Sequence, residues 1–162
     1  MTQNVYEQDL VSAVRAALQD VKDPEIPTLS LEELGMVYDL TVQDHHAKVQ
    51  LIPTFVGCPA VEMIRRLVEN NVGQVKGIES VQVEFVMDVP WSSDRITEEG
   101  RRKLAEFGIS PPPHEFLPGQ APVCSYCGSS DTDVVSIFGP TACRAVYYCK
   151  QCSQPFEGMK YV

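Results

Sequence analysis

Two C-x-x-C pairs, Cys124-Ser125-Tyr126-Cys127 and Cys149-Lys150-Gln151-Cys152, stand about twenty residues apart within the stretch 123–162. A segment of about forty residues cannot bury enough apolar surface to hold itself together, so it needs a staple. A C-x-x-C turn sets two sulfurs on one side of a knuckle, each able to reach a metal at about 2.3 Å. Two knuckles joined by a hairpin make a closed tetrahedral site, and one structural zinc ion fits it. Gly128 suits the tight turn that follows the second sulfur. An iron–sulfur cluster on the same four thiolates is the sharper alternative. A redox dithiol is the plainer one, but it goes with a single C-x-x-C beside parallel strands, a pattern missing here. Cys143 is a fifth thiol, in Thr141-Ala142-Cys143-Arg144. It is either a buried spare or an extra metal ligand replacing one of the four, and the spacing leaves both open.

The remainder of the chain reads as an ordinary folded domain. Asn4 and Glu7 resemble a capping box, and Leu10, Val11, Val14, Leu18 and Val21 recur at helical spacing. Asp23-Pro24-Glu25-Ile26-Pro27 stops that helix, since two prolines forbid its continuation. Met36 to Val42 and Ala47 to Leu51 alternate about Gln43-Asp44-His45-His46, which predicts a β-hairpin. Pro59 suits the first position of a second helix that turns Val61, Ile64, Val68 and Val75 inward, with Gly77 as its stop. Val81, Val83, Phe85 and Met87 predict a third strand, and a third helix is expected over 95–107 with Ile96, Leu104 and Phe107 inward. The order is α-β-β-α-β plus a C-terminal α-helix, an α+β fold, followed by a small β-rich ribbon. The expected boundaries are 1–108 for the first domain, 109–122 for a stiff proline-rich linker, and 123–162 for the ribbon.

Charge narrows the partners. A net charge of −9 and a pI near 4.7 argue against nucleic acid, because the longest basic cluster is only Arg101-Arg102-Lys103. No apolar run approaches the roughly 20 residues that span a bilayer, so no membrane partner is expected. Thr2-Gln3-Asn4 leads directly into an acidic amphipathic stretch with no basic region before it. That pattern points to the cytoplasm, where thiols stay reduced and six cysteines read as ligands or reactive groups before disulfides.

Cys58 sits in Thr54-Phe55-Val56-Gly57-Cys58-Pro59. With Pro59 as the first helical residue, Cys58 is the N-cap and faces the positive end of the helix dipole, which lowers a thiol's pKa. The plain alternative is a small buried hydrophobe, the commoner fate of a free cysteine. Asp23 and Glu25 occupy a loop fixed by prolines, and either serve a site or lie solvated. His45-His46 fall in a hairpin turn and face water, and His114 lies in the linker. No Ser/His/Asp set, glycine-rich phosphate loop or Glu-x-x-His pair is present, so no enzyme is expected. A thiol-dependent transferase acting on a CoA thioester lacks any base or oxyanion arrangement.

The residues then match a known pattern. Asp23-Pro24-Glu25-Ile26-Pro27, Leu34-Gly35-Met36-Val37-Tyr38 and Thr54 to Cys58-Pro59 resemble, in order and spacing, SufT-type iron–sulfur assembly domains over residues 7–107. Carried over, the resemblance points to Asp23, Glu25, Thr54 and Cys58, with Cys58 as the functional thiol. With the ribbon ending in Phe138 to Cys152 and Pro155-Phe156, the whole chain resembles the accessory D subunits of bacterial phenylacetyl-CoA monooxygenases. That family also carries a cysteine like Cys143. The resemblance implies a maturation role, handling iron or a cluster transiently for the reductase or oxygenase subunits. The alternative is a purely structural adaptor, and a homo-oligomer is compatible with either.

Overall fold

The computed structural model describes residues 2–115, 117 and 120–162, with side chains described from residue 5 onward. The chain forms two compact units, Met1–Trp91 and Ser92–Val162.

In the first unit, helix α1 runs Thr2–Gln19, strands β1 and β2 run Val37–Gln43 and His46–Leu51, helix α2 runs Val61–Gly73, and strand β3 runs Ser80–Phe85. The hairpin between β1 and β2 turns on Asp44 and His45, both with left-handed backbone at φ 47° and 66°. Such a pair matches the right-handed twist of the strands it joins. From β2 the chain crosses over through α2 and returns as β3, parallel to β2, giving the sheet order β1-β2-β3. Both helices pack on this sheet, α1 against β1 and α2 against β3, and also on each other. Leu10, Val14 and Leu18 of α1, Ile64 and Val68 of α2, and Val49 and Val83 of the sheet are buried together with Val21. The mixed α+β architecture is the one the periodicities predict.

Several local details differ from the expectation. Asn4 lies inside α1, not at its cap, and its side chain is outside the described residues. Helix α2 begins at Val61 with Ala60 as its cap, because Pro59 and Ala60 form a turn ahead of it. Cys58 is therefore not the N-cap. The same helix ends at Gly73, capped by Gln74, and Gly77 serves the following turn at φ +97°. A Cβ on Gly77 would come within 2.9 Å of Leu10 Cδ2, so packing as well as conformation calls for glycine there. Val72 is buried where the periodicity predicts Val75, and Met87 lies beyond the end of β3, exposed.

The second compact unit starts at Ser92, and so takes in the third helix as well as the stretch after residue 108. Helix α3, Glu98–Phe107, opens on Thr97, whose hydroxyl accepts from the Gly100 amide at 3.0 Å, and closes on left-handed Gly108. Buried Arg101 donates to the carbonyls of Ser93 and Pro112, and the Ser93 amide donates to Val162 O at 3.1 Å. Those bonds are what tie α3 to the cysteine-bearing segment. Ile96 and Leu104 are buried as expected, but Phe107 is exposed. Strand β4, Ile109–Ser110, takes up the first two residues of the expected linker and pairs in parallel with β7, Pro155–Met159. With β5, Thr132–Ser136, and β6, Arg144–Cys149, the sheet order is β4-β7-β6-β5. A small cluster of Cys124, Ala145, Tyr147, Cys149 and Phe156 forms the buried centre of the ribbon. Among the described residues, no helix is long and apolar enough to cross a membrane.

Candidate functional site

Cys58 rides on a loop pinned at both ends. Ile52 N donates to Met36 O at 2.8 Å before it, and Ile64 N donates to Ala60 O at 2.9 Å after it. Between these anchors Cys58 N donates to Phe55 O at 3.3 Å, closing a tight turn with Gly57 at φ +79°. That is the third position of a type II turn, which requires positive φ and favours glycine. A Cβ there would touch nothing, so the requirement is conformational. Phe55 and Val56 are exposed on this turn, and Thr54 opens it, half-buried.

Asp23 and Glu25 sit on a loop shaped by Asp23 itself. Its Oδ1 accepts from the amides of Glu25 at 2.8 Å and Ile26 at 3.0 Å, a local turn that leaves both carboxylates partly exposed. The fold carries this loop to Cys58, a half-buried thiol. Burial raises the Cys58 pKa above the ordinary thiol value, the Ala60 amide works against that, and the charges of Glu25 and Asp23 raise it further. A helix dipole acting on an N-cap thiol would shift it the other way. That expectation fails because the thiol lies before the Pro59–Ala60 turn, where burial outweighs the one amide it receives and the Glu25 and Asp23 charges add to the rise. The Ala60 amide is not foreseeable from the residues, since a proline at the start of a helical pattern ordinarily marks the first helical position.

The second site is the cysteine cluster. The sulfurs of Cys124, Cys127, Cys149 and Cys152 all lie within 4.8 Å of one another. Cys124 and Cys152 are 3.7 Å apart, and Cys127 and Cys149 are 3.6 Å apart. A tetrahedron with metal–sulfur bonds of about 2.3 Å has edges of about 3.8 Å, and a disulfide is far shorter, so the donor set fits a metal ion. Cys124 and Cys149 are buried, Cys152 is half-buried and Cys127 exposed. Each knuckle folds on its own backbone bonds: Gly128 N to Cys124 O at 2.9 Å in the first, and Cys149 N to Gln154 O at 2.9 Å in the second.

Four sulfurs this close cannot all be charged unaided. The Cys152 amide, then the neighbouring Cys127 thiol and the Gln151 amide, bring Cys149 down to about 7, while burial and the adjacent thiols push Cys152 up to about 12. A bound cation resolves that conflict by favouring the thiolate at every position. Cys143 is not brought into the group. It precedes β6, whereas Cys149 ends it, and six extended residues separate the ends by about 20 Å. Its sulfur lies 3.2 Å from Thr141 Oγ1.

A family pattern described as "Iron-sulfur cluster assembly protein" matches residues 12–85, and one described as "PaaD zinc beta ribbon domain" matches residues 110–160. An Escherichia coli (strain K12) protein, named as the putative D subunit of 1,2-phenylacetyl-CoA epoxidase, is 38% identical over 160 residues, covering 94% of this chain and 93% of that protein. This chain belongs to the family of phenylacetyl-CoA epoxidase D subunits. The first part of this D-subunit family member is also similar to other proteins. A Porphyromonas gingivalis protein named "Fe-S protein maturation auxiliary factor" is 32% identical over 99 residues, 60% of this chain and 90% of that protein. The crystal structure of a domain of unknown function, DUF59, from Bacillus anthracis superposes with a TM-score of 0.59 at 26% identity, covering 62% of this chain and 96% of that one. The assembly pattern takes in Asp23, Glu25, Thr54 and Cys58, and the ribbon pattern takes in all five remaining cysteines.

Proposed function

We propose that the chain is an accessory maturation factor of a phenylacetyl-CoA ring-oxygenating system, without catalytic turnover of its own. It hands iron or an iron–sulfur centre to a partner subunit, the reductase first, through Cys58. The observation that carries this reading is the meeting of Cys58 with Asp23 and Glu25 on pinned loops. A negative field holds the proton on the thiol at rest and attracts a cation equally well. An arriving metal centre displaces that proton, Cys58 replaces one ligand of the donor, and a client ligand later replaces Cys58. Ligand exchange of this kind leaves the oxidation states unchanged. The exchange needs a sulfur that solvent reaches and that is not already one of a full set, which describes Cys58 and not the four ribbon sulfurs.

The ribbon has the complementary task. Cys124, Cys127, Cys149 and Cys152 would hold one zinc ion, whose closed thiolate shell supplies folding energy and resists exchange. The ribbon thereby becomes a rigid docking module. The names of its relatives, an epoxidase D subunit and an iron–sulfur maturation factor, support an assembly role among partner subunits.

The deciding experiment replaces the chain by Cys58→Ala in cells making the whole oxygenase system. The reductase and oxygenase components are then purified anaerobically and their iron and sulfide measured. Depleted metal in either component is the expected result, whereas full metal content would leave only the reading of a structural adaptor.

A further inference from the structure

The ribbon carries an apolar surface that neither site uses. Val134, Val135, Ile137 and Phe138 are 54%, 62%, 61% and 80% exposed, four large apolar side chains within five consecutive residues. Two of them, Val134 and Ile137, line a cavity of about 420 Å³ whose walls also include Pro122, Ala145, Tyr147 and Met159. An apolar patch opening into an apolar cavity is the usual mark of an interaction surface.

Charge and backbone geometry say what fits it. Lys150 reaches two carboxylates on this edge, Asp131 at 3.8 Å and Asp133 at 2.9 Å, and Lys160 lines the adjoining cavity, so two cations offset the two acids. Residues 92–162 carry eight acidic and seven basic side chains, against fourteen and six in residues 1–91. A basic partner would be drawn to the first unit, while this face offers it nothing. A second copy is opposed by the net charge of −9 on each chain. Strand β5 is the sheet's edge, but its register shifts between Val134 and Ser136, leaving Val135 unopposed. A bulge of that kind turns an edge away from strand addition.

We infer that this face of the ribbon docks a partner protein subunit that presents aliphatic or aromatic side chains from an uncharged surface, held by side-chain burial and not by an added strand. The inference rests on the reading of the chain as a factor acting on a protein client, and it names the client's contact chemistry.

The test uses the full-length chain, loaded with zinc, and the separately purified reductase and oxygenase components of the same system. Binding is measured by calorimetry in low salt and in 1 M NaCl. Wild type should bind one component with little change between the two, because apolar burial is not screened. The double variant Ile137→Asp/Phe138→Asp should weaken binding about tenfold or more, while keeping its zinc content and circular dichroism, since both side chains are exposed. Undiminished binding by the double variant overturns the inference. So does binding that 1 M NaCl abolishes, failure of wild type to bind either component, or a wild-type dimer that the double substitution converts to monomer. Cys58→Ala separates the two readings: it should bind as wild type does. Retained docking with normal client metal would remove the transfer role and leave the docking surface standing.

Discussion

Ser153 holds the same left-handed backbone as Gly128, φ 59° against 73°, each one residue past the second cysteine of its knuckle. The turn after Cys127 meets that conformation with a glycine, and the turn after Cys152 meets it with a residue that has a Cβ. A side chain in the left-handed region costs about 1 kcal/mol or more, whereas glycine visits it freely. Ser153→Gly should therefore stabilise the zinc-loaded protein by roughly 0.5–1 kcal/mol, and Gly128→Ala should destabilise it by about 1 kcal/mol. Chemical denaturation followed by near-ultraviolet circular dichroism would measure both. Equal midpoints for Ser153→Gly and wild type would show that the second knuckle is not strained.

Cys58 should alkylate slowly at neutral pH. Burial first and the Glu25 and Asp23 charges after it hold its pKa above that of an ordinary thiol, so the reactive thiolate is scarce at neutral pH. Removing a negative neighbour stabilises the thiolate, and Glu25→Gln should shift the rate profile to lower pH. Rates of iodoacetamide labelling, read by mass spectrometry on the Cys58 peptide, give the profile directly. A profile that Glu25→Gln leaves in place would mean that burial alone sets the pKa.

Removing the metal should unfold the ribbon. Its buried cluster has only five residues, two of them the ligands Cys124 and Cys149, too little to stand without the ion. A strong chelator, or Cys149→Ser, should abolish the near-ultraviolet signal of the stacked Tyr147 and Phe156 rings, whose centroids lie 5.5 Å apart. Cys143→Ser should keep one ion per chain. Loss of metal in that variant would place Cys143 among the ligands after all. Trp91, the single tryptophan, reports on the first unit through its Nε1–H bond to Leu34 O at 2.8 Å.

Gly139 predicts a sharper cost than the knuckle glycine. A Cβ built on it would stand 2.6 Å from the Arg144 carbonyl oxygen, and backbone cannot swing aside as a side chain can. Gly139→Ala should lower stability by about 1–3 kcal/mol, the range for overpacking. Thermal unfolding of the zinc-loaded variant beside wild type is the measurement, and an unchanged midpoint would contradict it.

The helices and the hairpin are legible in the sequence because periodicity is a local property. Leu10, Val14 and Leu18 mark one face of α1 wherever that helix ends up, and alternation across Asp44-His45 marks a turn. The four ribbon ligands are legible because each knuckle is written in four consecutive residues. Which core α3 joins is not, since an amphipathic helix does not say what covers its apolar face. That answer comes from Arg101 reaching the Ser93 and Pro112 carbonyls. The set of Cys58, Asp23 and Glu25 is legible only through the family resemblance, because more than thirty residues separate the thiol from the acids and no local pattern links them. Even the sign of the Cys58 shift depends on a two-residue turn, Pro59–Ala60, that displaces the helix start.

The bond from Ser93 to Val162 and the pairing of Ile109 with Glu157 have a consequence for biosynthesis. Residues 1–91 contain every strand of their own sheet and can fold while the ribosome is still translating. The following segment cannot complete its sheet until residues near 160 have emerged from the exit tunnel. The cysteine-bearing sheet is therefore completed after the thiol-bearing first unit has all of its own strands in hand.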